Sequence, residues 1–123
     1  MHELSVCQAI LDEVGSLAAK RSAISVSGIH LSVGPLSGVE SGLLHQAFPL
    51  ATAGTVAAGA ELHIRETPVR IRCSRCDAEM EVPPNRLLCR HCDGWQTDLL
   101  SGDELVLDRV EMQCKGEEGH ADV

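Results

Sequence analysis

The sequence predicts an α+β fold: a small sheet packed with two helices, plus a looped-out zinc-ribbon module with four cysteines. Three observations predict it, namely two amphipathic helical segments, alternating apolar strand segments and two C-x2-C pairs before the last strand. Of the 123 residues, 44% are apolar but only 2% are aromatic, so the core must be aliphatic and thin. A bound metal ion would stabilise such a core.

The first helix is predicted over residues 4–20. Its apolar side chains recur at three- and four-residue steps and would line one face: Leu4, Cys7, Ile10, Leu11, Val14, Leu17 and Ala18. We therefore interpret the thiol of Cys7 as a buried core group.

A strand is predicted over residues 24–34, because apolar residues alternate with polar ones before Gly34-Pro35 ends the run. A second helix is predicted over 39–53, with Val39, Leu43, Ala47 and Phe48 facing inward. Pro49 should end or kink this helix near Phe48.

A further strand is predicted over residues 60–66, and a final strand runs from Leu105 to about Met112. His30 and His63 fall at polar positions of two predicted strands, and each alone is interpreted as a solvated histidine. The predicted domains are 1–69 with 103–114 as an α/β domain, 70–102 as a zinc-binding module, and 115–123 as a disordered tail.

The cysteine module has the spacing C-x2-C, twelve residues, C-x2-C. Two such turns can aim four thiolates at one ion, so we predict structural zinc bound by Cys73, Cys76, Cys89 and Cys92. Iron of the rubredoxin kind and a redox disulfide are weaker alternatives. A four-cysteine zinc site has no open position, which indicates a structural role rather than catalysis. His91, inside the second pair, could hydrogen-bond to a thiolate.

The net charge of −8 is unevenly distributed. Residues 65–92 are mildly basic, but a four-thiolate zinc centre would itself carry negative charge there. No strongly positive surface is left, so we expect no nucleic-acid partner. The opening has no secretory pattern and no apolar run is long enough to span a membrane, so we expect a cytoplasmic protein. No catalytic grouping is legible, and we expect no enzyme activity.

The start of the chain offers a second kind of metal site. The terminal amine, the first backbone amides and the His2 imidazole could close chelate rings on one ion. Nitrogen ligands in one plane suit Cu(II) or Ni(II). Taken alone, however, His2 is simply the second residue of a chain.

Runs of residues along nearly the whole chain carry a family resemblance: Met1–Ser5, Ile29–Gly34, Val39–Phe48, Gly54–Leu62, the two cysteine pairs and Gly102–Glu111. Together they resemble the hydrogenase nickel-insertion accessory proteins of the HypA/HybF type. The zinc pairs alone would be unspecific, but joined to the initial Met-His-Glu they are specific.

The resemblance implies a nickel metallochaperone that helps to load the [NiFe] hydrogenase large subunit during maturation. It implies that transferable Ni(II) binds through His2 and the backbone of Met1 and Glu3, with the side chains of Glu3 and Glu40 as further candidates. It also implies a partner GTPase of the same maturation pathway. The α/β domain would then be the nickel-binding domain.

A zinc-ribbon protein-interaction or regulatory module without nickel delivery is the alternative. It predicts basic surface, which the charge distribution does not provide, and no response of metal binding to substitution of His2.

Overall fold

The structure, a computed structural model, describes the backbone of residues 2–114 and 117–122 and the side chains of residues 3–114. Its elements in chain order are α1 (His2–Lys20), β1 (Ala23–Val33), α2 (Ser41–Thr52), β2 (Glu61–Glu66), β3 (Arg70–Cys73), β4 (Glu79–Glu81), β5 (Thr97–Ser101), β6 (Leu105–Cys114) and β7 (Glu117–Asp122). The two helices and two small sheets confirm the predicted α+β class. Neither of the described helices is long and apolar enough to cross a membrane.

The chain divides into two compact units. The first comprises Met1–Ser32, Glu40–Arg65 and Val106–Val123, and the second comprises Val33–Val39 and Glu66–Leu105. The second unit thus includes 33–39, a segment that the sequence analysis assigns to the first domain. The domain boundaries inferred from the sequence therefore stay a prediction.

The first unit contains both helices and a sheet with the strand order β2-β1-β6-β7. Cys7, Val14 and Ala18 of the predicted apolar stripe are buried, whereas Leu4 is exposed. The buried side of the sheet and α2 complete this core with Val26, Ile29, Leu31, Leu44, Phe48, Val110 and Met112.

Helix α2 differs from the prediction in its phase. Leu44, Phe48 and Thr52 are its buried residues, whereas Leu43, which was expected inside, is exposed. Residues four positions apart form one row on a helix, and this row passes Pro49. A proline removes one backbone hydrogen bond. The helix nevertheless continues to Thr52, because buried side chains anchor it on both sides of Pro49.

The second unit is built on a three-stranded sheet of order β4-β3-β5, in which β3 pairs antiparallel with both neighbours. Its small core consists of side chains from these strands and the cysteine turns: Val69, Ile71, Cys73, Met80, Val82 and Cys89. With so few apolar side chains, the two cysteine turns carry a large share of the packing.

Within the tail expected to be disordered (115–123), the described residues 117–122 form a strand, and 115, 116 and 123 lie outside the described residues. Glu117–Asp122 form β7, which pairs antiparallel with β6 from Cys114↔Glu117 to Arg109↔Asp122. An edge strand presents unpaired backbone groups, and pairing with them needs no apolar side chains. A polar segment can therefore form such a strand, although its composition alone indicated disorder.

Candidate metal centre

The structure brings together the four cysteines that the spacing singles out. The Sγ atoms of Cys73 and Cys92 are 3.7 Å apart, and those of Cys76 and Cys89 are 3.6 Å apart. All four sulfurs lie within 4.8 Å of one another. Zinc–sulfur bonds of about 2.3 Å in a tetrahedron separate the sulfurs by about 3.8 Å. The arrangement therefore fits a four-thiolate zinc ion.

Two equivalent backbone turns hold the sulfurs. In each turn, the amide of the first cysteine donates to the carbonyl five residues later, at 2.9 Å for both Cys73 and Cys89. Asp77 and Asp93 follow the second cysteine of each pair. Their backbone amides donate to the carbonyl of the first cysteine, at 2.8 Å for Asp77 and 2.9 Å for Asp93. Both aspartates adopt left-handed backbone angles, with φ of 61° and 58°. The shared geometry turns both thiols of each pair towards one point.

The electrostatics of the cluster favour a bound cation. The backbone amides of Cys76 and Arg75 lower the pKa of the Cys73 thiol to about 7. The amide of Ala78 acts in the same direction on Cys76, but hydrogen bonding with Cys89, burial and the charge of Cys73 outweigh it and raise the pKa of Cys76 to about 11. The thiolate of Cys73 thus forms readily, and its negative charge opposes deprotonation of the neighbouring thiol. Four thiolates together need a positive ion.

The remaining cysteines and His91 stand outside this cluster. Cys7 is buried against the carbonyl of Leu44, and Cys114 donates to the carbonyl of Arg21 at 3.4 Å. His91 does reach a sulfur, but through its backbone amide, which donates to Cys89 Sγ at 3.4 Å. His91 is an exposed residue. The predicted hydrogen bond to a thiolate is thus made by its main chain.

Of the predicted nickel-binding residues, His2 and Glu3 belong to the first turn of α1, which begins at His2. Met1 and the side chain of His2 lie outside the described residues. Glu3 is buried, although it is acidic. Hydrogen bonds to the terminal amine, to its own amide and to the amide of Glu40 hold the pKa of the Glu3 carboxyl below its usual range, against the opposing effect of burial. A carboxylate is thus kept charged beside the first turn of the helix.

Glu40 has a structural task that the sequence analysis did not foresee. It is the N-cap of α2, and its carboxylate oxygens accept from the amides of Gly42 at 3.0 Å and Leu43 at 2.8 Å. These amides have no partner within a helix, so capping stabilises the helix start. The Glu40 side chain is therefore engaged by its own helix, while its amide supports Glu3.

Replacing Glu40 with alanine should lower the free energy of unfolding by about 1 kcal/mol, because two helix amides lose their acceptor. Glu40→Ser should recover most of this loss, since serine is a good N-cap without a charge. Urea unfolding of the three metal-loaded proteins measures the difference. Equal stability of Glu40→Ala and the parent would contradict the capping role.

Sequence reasoning missed one further group. His30, His63 and Glu111 come together in the first unit, with one potential ligand atom from each lying within 4.8 Å of the others. Their positions in the chain give no spacing signal, because each lies on a different strand. Only the strand order makes them neighbours.

Comparison with known proteins decides the family. A family model described as "Hydrogenase/urease nickel incorporation, metallochaperone, hypA" matches residues 1–112. The chain belongs to the HypA family. This confirms the resemblance inferred from the sequence, including its extent along the chain.

Relatives within the HypA family are similar over most of their length. The hydrogenase maturation factor HypA of Nitrosospira multiformis is 42% identical over 112 residues, which cover 91% of this chain and 97% of the relative. The maturation factor HybF of Salmonella typhimurium is 34% identical over 113 residues, covering 92% and 100%.

The fold is also similar to that of solved structures. The solution structure of the nickel metallochaperone HypA from Helicobacter pylori aligns with a TM-score of 0.66 at 20% identity, covering 92% of this chain and 98% of that one. A second solution structure of a HypA protein aligns with a TM-score of 0.70 at 23% identity, covering 94% and 98%. At these identities the likeness shows the fold alone.

Proposed function

We propose that this protein is a cytoplasmic nickel metallochaperone, which binds Ni(II) at its N-terminus and helps to deliver it to the large subunit of a [NiFe] hydrogenase. The observation that carries the proposal is the match of residues 1–112 to a nickel-incorporation family. In this role nickel is cargo, and the protein performs no catalysis. A GTPase of the same maturation pathway is the proposed partner, and no nucleic acid takes part.

The proposed nickel site consists of the His2 imidazole and the backbone nitrogens of Met1 and Glu3. Nitrogen donors of this kind suit Ni(II) in a planar arrangement. The buried carboxylate of Glu3 supports the proposal, because it keeps a negative charge in the first turn of α1, where the incoming cation would bind. Glu40 contributes mainly through the amide that hydrogen-bonds to Glu3.

Zinc is the proposed resident ion of Cys73, Cys76, Cys89 and Cys92. Thiolates are soft ligands and hold zinc in a closed tetrahedron, whereas a terminal site built from nitrogen can be opened by a partner. The two ions would then have separate tasks. Zinc stabilises the second unit, and nickel occupies the transferable site.

A test in cells compares hydrogenase loading with and without His2. A strain that lacks this protein receives the parent, His2→Ala or the control His45→Ala, since His45 is an exposed histidine of α2. We expect the parent and the control to restore the nickel content of the purified large subunit, and His2→Ala to leave it near the level of the deleted strain.

Full nickel content with His2→Ala, at matched protein levels, would contradict delivery through the N-terminus. Full nickel content in the strain without the protein would contradict the delivery function itself. The second result would favour an interaction module built on the cysteine centre.

A further inference from the structure

Two histidines and a glutamate form a row across three adjacent strands of the first unit. In the strand order β2-β1-β6-β7, His63 lies on β2, His30 on β1 and Glu111 on β6. We call these three residues the sheet histidine cluster. None of them belongs to the cysteine centre or to the proposed nickel site.

The side chains of the sheet histidine cluster are in direct contact. His30 Nε2 lies 2.5 Å from Glu111 Oε1, and the rings of His30 and His63 stack with centroids 4.4 Å apart and an interplanar angle of 12°. The side chains of His30, His63 and Glu111 are 31%, 47% and 42% exposed. Ligand atoms are therefore close together and reachable from solvent.

The neighbouring backbone leaves room for this contact. A Cβ atom added to Gly28 would come within 2.9 Å of Glu111 Oε1 and 3.3 Å of the carboxyl carbon. Because position 28 has no side chain, the Glu111 carboxylate can lie over β1 and reach His30.

The carboxylates at the cluster suit a cation, although the positive charge of Arg109 acts against one. The hydrogen bond with His30, and to a smaller degree the positive charge of Arg109, lower the pKa of the Glu111 carboxyl. Glu111 is therefore ionised at neutral pH, as a metal ligand must be. Glu61 Oε2 lies 3.4 Å from His63 Nε2. A second carboxylate thus stands behind the outer histidine, where such groups orient a ligating ring.

The geometry points to a second metal site, in which His30, His63 and Glu111 bind one divalent transition-metal ion of the zinc type. Two imidazoles and one carboxylate form a common zinc ligand set with an open position. Around such an ion the ligand atoms lie about 3.3 Å apart. His30 Nε2 and Glu111 Oε1 must therefore separate from 2.5 Å, and rotation of the exposed His63 side chain can bring its ring nitrogen to the ion.

Binding would replace the proton shared by His30 and Glu111 with the metal ion. The described residues supply three protein ligands, so water would complete the coordination, and the ion would exchange with solvent. The closed four-thiolate centre has no such position. The cluster is thus a site for labile metal, independent of the nickel proposal.

Calorimetric titration with Zn(II) alone tests this site. Every protein in this titration has zinc bound in the cysteine centre and also carries the substitution His2→Ala, so that the N-terminus does not contribute. The protein with no further substitution is the parent here, and it should bind one further zinc ion. Removing a residue that hydrogen-bonds to a metal ligand weakens metal binding by about 10–100-fold. Removing a direct ligand, as in His63→Gln or Glu111→Gln, should therefore weaken zinc binding at least tenfold. The exposed His45→Gln is the matched control and should leave the affinity unchanged.

Nuclear magnetic resonance of the imidazole nitrogens provides a second readout on the unaltered cluster. The His30 and His63 signals should shift during the first added equivalent of Zn(II), and those of His45 should not. Absence of a further zinc ion in the parent would overturn the proposal. So would equal affinities of His63→Gln, Glu111→Gln and His45→Gln, since the bound ion would then lie elsewhere.

Discussion

Replacing Cys76 with serine should release the metal ion from the cysteine centre and unfold β3, β4 and β5, while both helices and the four-stranded sheet stay folded. Cys76 is exposed, so the substitution removes a ligand without opening a cavity in the core. The second unit has only a small apolar cluster. Metal binding contributes about 10 kcal/mol or more to the folding of small zinc modules. The loss should therefore exceed what this core can offset.

Hydrogen exchange combined with metal analysis measures this effect. In Cys76→Ser, amides of residues 66–105 should lose protection, amides of α1 should keep it, and the bound zinc should fall to background. Cys114→Ser is the matched control, because Cys114 lies outside the centre. Retained zinc and unchanged protection in Cys76→Ser would show that the ion does not hold this unit together.

The cysteine centre could be predicted from the sequence because the information is local. A C-x2-C pair fixes two ligands within one turn, and two pairs complete a tetrahedron. The left-handed Asp77 and Asp93 were not predicted, since a non-glycine residue with positive φ has only a weak sequence signal. The equivalent backbone turns became visible only in the structure.

Helix α2 shows where periodicity reaches its limit. Leu43 and Leu44 are adjacent leucines, and either could begin an inward row. The N-cap at Glu40 and the burial of Phe48 and Thr52 select Leu44. Glutamate is not among the favoured N-cap residues, so its capping role at position 40 has only a weak sequence signal.

The sheet histidine cluster and β7 could not be predicted for a related reason. Both depend on which strands are neighbours, and the contact between His30 and Glu111 spans 81 residues of chain. Alternation predicts which face of a strand a residue occupies, but not its partner across the sheet. His30 and His63 were therefore interpreted singly as solvated side chains.

Replacing His2 should abolish tight nickel binding. The His2 imidazole is the only side-chain nitrogen in the proposed site, and without it the remaining backbone nitrogens cannot complete a planar ligand set. The loss should be about a hundredfold or more, beyond the 10–100-fold cost of outer partners. The cysteine centre should be unaffected, because its ligands all lie in the second unit.

Calorimetric titration of Ni(II) into untagged, zinc-loaded protein tests the central claim most directly. All proteins carry His63→Gln, so that the sheet histidine cluster does not take up nickel. The parent and His45→Ala should bind a single nickel ion tightly, whereas His2→Ala should not. Equal nickel affinity in His2→Ala and His45→Ala, with zinc retained in both, would contradict a nickel site at the N-terminus.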